Sequence, residues 1–255
     1  MDVSHTELHS IPRTVRKINL TDGGKFVKKT FLSFTQHLYY DKDHKLHRID
    51  GNAKEVFDNR SMLPNHICRS EKWIHGKLHG EPAVIHYELD GRVIKEEYWK
   101  NGILHRDNEP AIMYKNLYGI VINEFYNNRK RHNNKSPAYI EINPIMNLKC
   151  CKFYQNGKLH NENAPALTRH TLYKNELLDE EWRINGVLHR KDGYAHTSIR
   201  SFMDYAIFYH YVDGKIHHDN KPAIVELELS TKKIINEKHY INGIKQGDRD
   251  LVLSN

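Results

Sequence analysis

The sequence predicts an all-β protein, an elongated array of stacked antiparallel β-hairpin repeats, about seven to eight of them at 26 to 32 residues each. Three observations carry that prediction. One phrase recurs along the chain: an aromatic residue, Asn-Gly or a relative, Leu-His, then Pro-Ala, as in Trp99-Lys-Asn-Gly-Ile-Leu-His105 followed by Pro110-Ala111. Self-similarity at a fixed period is the signature of a repeat architecture. The stretches between phrases alternate apolar and polar residues, as Val225, Leu227 and Leu229 do with Glu226 and Glu228, which is the period of a half-buried strand. Helical periodicity is weak throughout.

Residues 1–38 lack the phrase but hold a hairpin pattern from Val15 to Phe34 around Asp22-Gly23-Gly24, and read as an N-terminal cap. From residue 39 to 247 the phrase sets the register. Its histidines are His47, His79, His105, His132, His160, His189 and His217, and Gln246 takes the place in a shortened last repeat. The turn glycines are Gly76, Gly102, Gly157, Gly186, Gly214 and Gly243, and Trp73, Trp99 and Trp182 stand two or three residues before the turn. Asn-Gly suits a tight turn because both central residues need positive φ. Within each repeat a second turn candidate joins two strands: Asp90-Gly91, Tyr118-Gly119, Asn143-Pro144 and Ser230-Thr231. The aromatic and the Leu before His are expected to form the core between repeats. Residues 248–255 form a polar C-terminal tail.

Hydrophobic residues make up 38% of the chain, low for a globule but adequate for a thin array with much surface. A formal charge of +7, with both signs mixed, permits an anionic partner without requiring one. Cys68, Cys150 and Cys151 make neither a disulfide framework nor a zinc pattern, so a reduced, intracellular setting is expected and secretion is not. No apolar run reaches the length of a membrane span.

Trp73-Ile-His-Gly-Lys-Leu-His-Gly80 with Tyr98-Trp99-Lys-Asn-Gly102, and again Tyr240-Ile-Asn-Gly-Ile-Lys-Gln-Gly247, resemble the MORN-type hairpin repeat. The fuller phrase Asn-Gly-x-Leu-His-Arg-x-x-x-Pro-Ala, clearest at 102–111 and 185–195, resembles repeat proteins of giant DNA viruses and bacteriophages. The resemblance spans nearly the whole chain. It implies stacked hairpins and a viral or virion-associated protein. The abundance of Asn, Lys and Ile fits an A·T-rich genome. Arg106, Arg190, Asn161 and His218 stand where MORN repeats carry a second glycine.

Seven spaced histidines invite a metal reading, but residues one repeat apart lie about 10 Å from each other, too far to share a zinc ion. The expected role is a structural tie, each ring holding the backbone of its own loop on the way back to Pro-Ala. Arg48, Arg106 and Arg190 follow His and precede acids, which predicts surface ion pairs; the alternative is a row of guanidinium groups for phosphates. Arg129, Lys130 and Arg131 replace Gly-x-Leu and form the sharpest basic cluster, a solvated turn or a docking site. No Gly-rich phosphate loop, His-Glu-x-x-His or Gly-x-Ser-x-Gly occurs, and no cofactor is implied. The expected function is a non-enzymatic scaffold for a protein partner. A basic surface for nucleic acid or anionic lipid is the alternative.

Overall fold

A computed structural model describes residues 11–61 and 63–247. The chain is all-β, and among the described residues its helical content is one 3-10 turn, Ser201–Met203. The chain divides into two compact units, residues 1–116 with 126–129, and 117–125 with 130–255. The tail 248–255 and the first ten residues of the cap lie outside the described residues.

In the N-terminal unit the strands Thr14–Asn19, Lys25–Thr30, Phe34–Tyr40, Lys54–Asp58, Ile67–Glu71, Gly80–Tyr87, Val93–Lys100 and Ile112–Lys115 each pair antiparallel with the next. The cap hairpin turns at Asp22-Gly23-Gly24, where the Asp22 carboxylate accepts the Gly24 amide at 2.9 Å. Strand Phe34–Tyr40 runs straight across residue 38, so the cap is the first part of the same sheet rather than a separate piece. Phe31 stacks on Phe34 at 4.2 Å and both pack on Val56 beneath the first hairpin tips.

In the C-terminal unit Val121–Glu124, Tyr139–Asn143, Leu148–Lys152, Leu167–Thr171, Leu177–Glu181, His196–Arg200, Tyr205–Tyr209, Ile224–Glu228 and Ile234–Lys238 form the same meander. In each unit the connections alternate between two ends of the sheet, as an antiparallel meander requires. One end carries hairpin tips of a few residues. The other carries the phrase.

There the chain makes a two-residue ribbon, such as Tyr154–Gln155 against Lys158–Leu159, closed by Asn156 at φ 50° and Gly157 at φ 85°. Both values are positive, as the Asn-Gly sequence predicts. The chain then returns to Ala166. That alanine and its counterparts Ala53, Ala83, Ala111, Ala138, Ala195 and Ala223 are 0–1% exposed. Each accepts the amide seven residues before the motif histidine (eight at Ala53, which takes Tyr39), for instance Phe153 N–H to Ala166 O at 2.7 Å. The same residue's carbonyl accepts the histidine amide, His160 N–H to Phe153 O at 3.0 Å. The methyl group packs where a larger side chain has no room. The densest packing therefore falls on these alanines, whereas Leu78, Leu104, Leu159 and the three tryptophans are only half-buried. This corrects the expected aromatic-leucine core: in a sheet this thin, the tight spot is where the returning loop crosses the strand.

Polar residues share the sheet surface. Glu71 is 1% exposed, with Lys54 Nζ at 3.2 Å, Arg69 Nε at 3.0 Å and the Trp73 indole N–H at 2.6 Å. Glu97 receives the Trp99 indole at 3.0 Å and Lys95 at 2.8 Å, and Glu181 receives Arg183 at 2.6 Å. Cys150 is buried and Cys151 half-buried, on opposite faces; burial pushes both thiols up, which leaves them poor nucleophiles.

Candidate functional site: the histidine latch and the hairpin-tip edge

The motif histidines do tie backbone, but not in their own loop. Each Nδ1 accepts the amide that opens the turn of the following repeat. His47 takes His75 N–H at 3.1 Å, His79 takes Asn101 at 3.3 Å, His132 takes Asn156 at 3.1 Å. His160 takes Asn185 at 3.1 Å, His189 takes Asp213 at 3.2 Å and His217 takes Asn242 at 3.1 Å. The glycine amide beside it meets the carbonyl just before the histidine, as Gly186 N–H meets Leu159 O at 2.7 Å. The expected tie to the Pro-Ala loop is thus corrected to a latch between neighbours. An isolated turn amide needs an acceptor, and the ring behind it supplies one.

At His47, His132, His160 and His217 this geometry sets the tautomer, whereas at His79 and His189 the Nδ1 also faces Asn101 Oδ1 at 3.1 Å and Asp213 Oδ1 at 3.0 Å. A neutral ring that accepts at Nδ1 carries its proton on Nε2. In two latches Nε2 lies near an acid two residues on, His160 at 3.7 Å from Glu162 and His217 at 3.3 Å from Asp219, and the unlatched His105 sets its Nε2 3.1 Å from Asp107. His105 departs from the rule at the other nitrogen, since its buried Nδ1 has no partner. The repeat that follows it has Arg129 in place of the turn glycine.

Asp41, His47 and His75 bring three metal-ligand atoms within 4.8 Å of one another. His75 stands where most repeats have Asn, and its Nδ1 lies 2.9 Å from Asp41 Oδ2. That hydrogen bond, then the Lys45 amide, draws the Asp41 carboxyl below its ordinary range. The His47 and His75 rings stack at 4.2 Å with planes 16° apart. Stacked rings do not aim their lone pairs at one point. With the latch in place, moreover, the Nε2 of His47 is protonated. The trio is a His75–Asp41 hydrogen bond built onto a latch.

The arginines after histidine are corrected as well. Arg48 lies over the Tyr39 ring at 4.2 Å, Arg106 over Tyr98 at 3.7 Å and Arg190 over Trp182 at 3.8 Å. Each guanidinium also donates to the carbonyl before the buried alanine: Asn52 O at 3.3 Å, Pro110 O at 3.4 Å, Tyr194 O at 3.1 Å. Arg106 pairs with Glu109, not Asp107. These groups clamp the return loop between an aromatic ring and a backbone carbonyl. Where Pro is missing, Gly51 at φ 147° and Gly193 at φ 136° let the loop approach; a Cβ would lie 3.1 and 3.0 Å from the Arg48 and Arg190 Cζ atoms. A shallow concavity of about 400 Å³ beside Trp182 and Arg190 is lined by Asn161, Glu162, Lys191 and Asp192.

The Arg129–Arg131 cluster does not act as one patch. Arg129 takes φ 67° in the glycine place, and its amide and Nη2 donate to Leu104 O at 3.1 Å and Gly102 O at 2.9 Å. Arg131 reaches Glu124 at 2.8 Å and lies 5.5 Å from the Tyr139 ring. Lys130 points to solvent. Solvated turn is the better of the two sequence readings.

The opposite end of the sheet holds what the sequence reading overlooked. In the C-terminal unit the tips present Leu117 (56% exposed), Tyr118 (70%), Ile145 (66%), Met146 (69%), Tyr173 (73%), Phe202 (100%) and Met203 (64%). Adjacent tips are joined: Asn147 Oδ1 accepts the amides of Leu172 at 3.0 Å and Tyr173 at 3.2 Å, and Asp204 accepts Ser230 N at 3.0 Å and Oγ at 2.6 Å. In the N-terminal unit Leu32 (71%), Leu63 (53%) and Leu89 (58%) hold the same place. The signal was present as apolar residues at the centre of turns, where polar formers are usual.

No family model matches the chain, and no curated protein matches it. A solved structure of a protein of unknown function from Bacteroides caccae aligns with 93% of this chain and 84% of its own, at 12% identity and a TM-score of 0.18. No helix among the described residues is long and apolar enough to cross a membrane.

Proposed function

We propose that the chain is a non-enzymatic scaffold that acts by docking, and that it docks along the hairpin-tip edge. The observation that supports this is the run of tips in the C-terminal unit carrying large apolar side chains 56–100% exposed. Large apolar side chains repeated at successive tips along one edge mark a candidate interaction surface. The repeated polar residues, by contrast, are engaged in holding the fold: histidines in latches, arginines over aromatic rings. The Asn-, Lys- and Ile-rich composition supports a viral origin, which makes the virus particle or the infected cell the place to seek the partner.

The test is capture from the native source with wild-type protein and with a variant carrying Tyr173→Ser and Phe202→Ser. Both side chains are exposed, so the fold should survive, as circular dichroism would verify. Material held by the wild type and lost by the variant supports docking at the tips. Equal capture by both places the docking surface elsewhere.

A further inference from the structure

We propose that the phrase edge of the C-terminal unit binds the phosphate backbone of duplex DNA through a row of lysines. This edge lies at the other end of the sheet from the hairpin tips, so the proposal is independent of docking there.

The positive charge of this unit is concentrated at the phrase end. Its phrase segments, 130–135, 154–163, 183–193, 211–221 and 240–246, hold ten Lys and Arg against four acids. The stretches between them, with the strands and the tips, hold eight against nine. In the N-terminal unit the phrase segments 41–51, 73–81 and 99–109 are balanced, six cations against six acids. The basic edge is thus a property of one unit and not of the phrase. Its arginines are taken up in the fold: Arg131 reaches Glu124, Arg183 reaches Glu181 and Arg190 lies over Trp182. The lysines are not. Lys130, Lys135, Lys158, Lys191, Lys215 and Lys221 are exposed, and among the described residues their ammonium groups make no hydrogen bond or ion pair. Three of them have their stems placed by the stacking. A Cβ on Gly157 would stand 3.7 Å from Lys130 Cβ, one on Gly186 4.0 Å from Lys158 Cβ, and one on Gly243 3.9 Å from Lys215 Cβ. Each stem therefore lies beside the turn glycine of the next repeat, with its ammonium group left in water. Of the four acids, Glu162, Asp213 and Asp219 face a motif histidine at 3.7, 3.0 and 3.3 Å.

Spacing points to a duplex. Repeats follow one another at two strand spacings, about 10 Å, so Lys130 and Lys215, three repeats apart, are separated by about 30 Å. One turn of B-form duplex is about 34 Å long. It carries about one negative charge per 1.7 Å of axis, so a cation every ~10 Å meets phosphate wherever it falls. An acidic protein has no such continuous charge, and its carboxylates would have to match the repeat. A single strand gains much of its affinity from bases stacked on aromatic rings. The rings of the phrase segments, Tyr154, Tyr211 and Tyr240, are half-buried and give no open platform. Contacts to phosphate alone carry no base readout, so binding is independent of sequence.

The experiment is fluorescence anisotropy of a labelled DNA duplex of arbitrary sequence, about 24 base pairs or a little over two turns, titrated with the full chain. It is repeated between about 50 and 200 mM salt. The expected result is association that weakens with salt, with a log–log slope of about 5. Lys130→Gln, Lys158→Gln and Lys215→Gln together should lower that slope by about 3 and weaken binding at the lowest salt at least about tenfold. Lys149→Gln, Lys174→Gln and Lys233→Gln remove the same charge from the tip end and should leave affinity within about twofold. All six side chains are exposed, and circular dichroism verifies that both variants fold. No binding at the lowest salt, an edge variant that binds as the wild type does, or an equal loss in the tip variant overturns the proposal. So does tighter binding of one strand alone, or of polyglutamate at matched charge, than of the duplex.

Discussion

At the scale of single residues, His160 and His105 carry the same letter of the phrase in different states. His160 accepts the Asn185 amide at 3.1 Å, while the Nδ1 of His105 is buried without a partner. His160→Ala leaves a turn amide without its acceptor and should cost about 1 kcal/mol. His105→Ala should cost less, and urea unfolding of both variants orders them. A reversed order would remove the latch as the reason for the histidine. Glu71 is a harsher case. It lies beside Lys54, Arg69 and the Trp73 indole at 1% exposure, so Glu71→Ala should cost about 3 kcal/mol by leaving two cations without their counter-charge. A change under about 1 kcal/mol would show that water reaches those cations freely.

At the scale of the repeat, the alanine that ends the phrase decides the packing. Ala166 is fully buried beneath the return loop, and its carbonyl and amide bond Phe153 and Glu181, each at 2.7 Å. Ala166→Leu has no space to occupy and should cost about 1–3 kcal/mol, read as a fall in thermal midpoint. Ala166→Gly, which keeps the space, should cost about 1 kcal/mol. Strand positions, the Asn-Gly turns and the Pro-Ala step could all be read from letters alone, because period and positive φ are local properties. The latch could not. Its donor and acceptor lie 25 residues apart at His160 and Asn185, and only the stacking of hairpins shows which amide the ring meets. The tip edge lies outside the phrase: Tyr173 and Phe202 are apolar at the centre of turns, and a search by repeat passes over them.

For the molecule as a whole, acid is the expected weak point. His37, His196 and His210 are all lowered, burial being the first cause in each. His210 falls to about 4, burial being helped by His218, whose ring lies 4.6 Å away, and by Lys221 and Arg190. The unfolded chain titrates near the ordinary value of 6.5. Between the two values the unfolded chain holds more protons than the folded one. These groups thus leave stability intact above the ordinary value and withdraw it as pH falls toward the folded one. The urea midpoint should drop between about pH 7 and pH 5, and His210→Gln should flatten that slope. A midpoint unchanged across the range would mean that water solvates these rings as it does in the unfolded chain. The latches carry a further consequence. Every one has its acceptor on the earlier repeat and its donor on the later, from His47 with His75 to His217 with Asn242. A chain leaving the ribosome N-terminus first therefore offers the turn after each latching histidine a receptor already in place. Assembly has a direction written into these hydrogen bonds, and a nascent chain halted at any repeat other than that of His105 ends in a histidine still waiting for its amide.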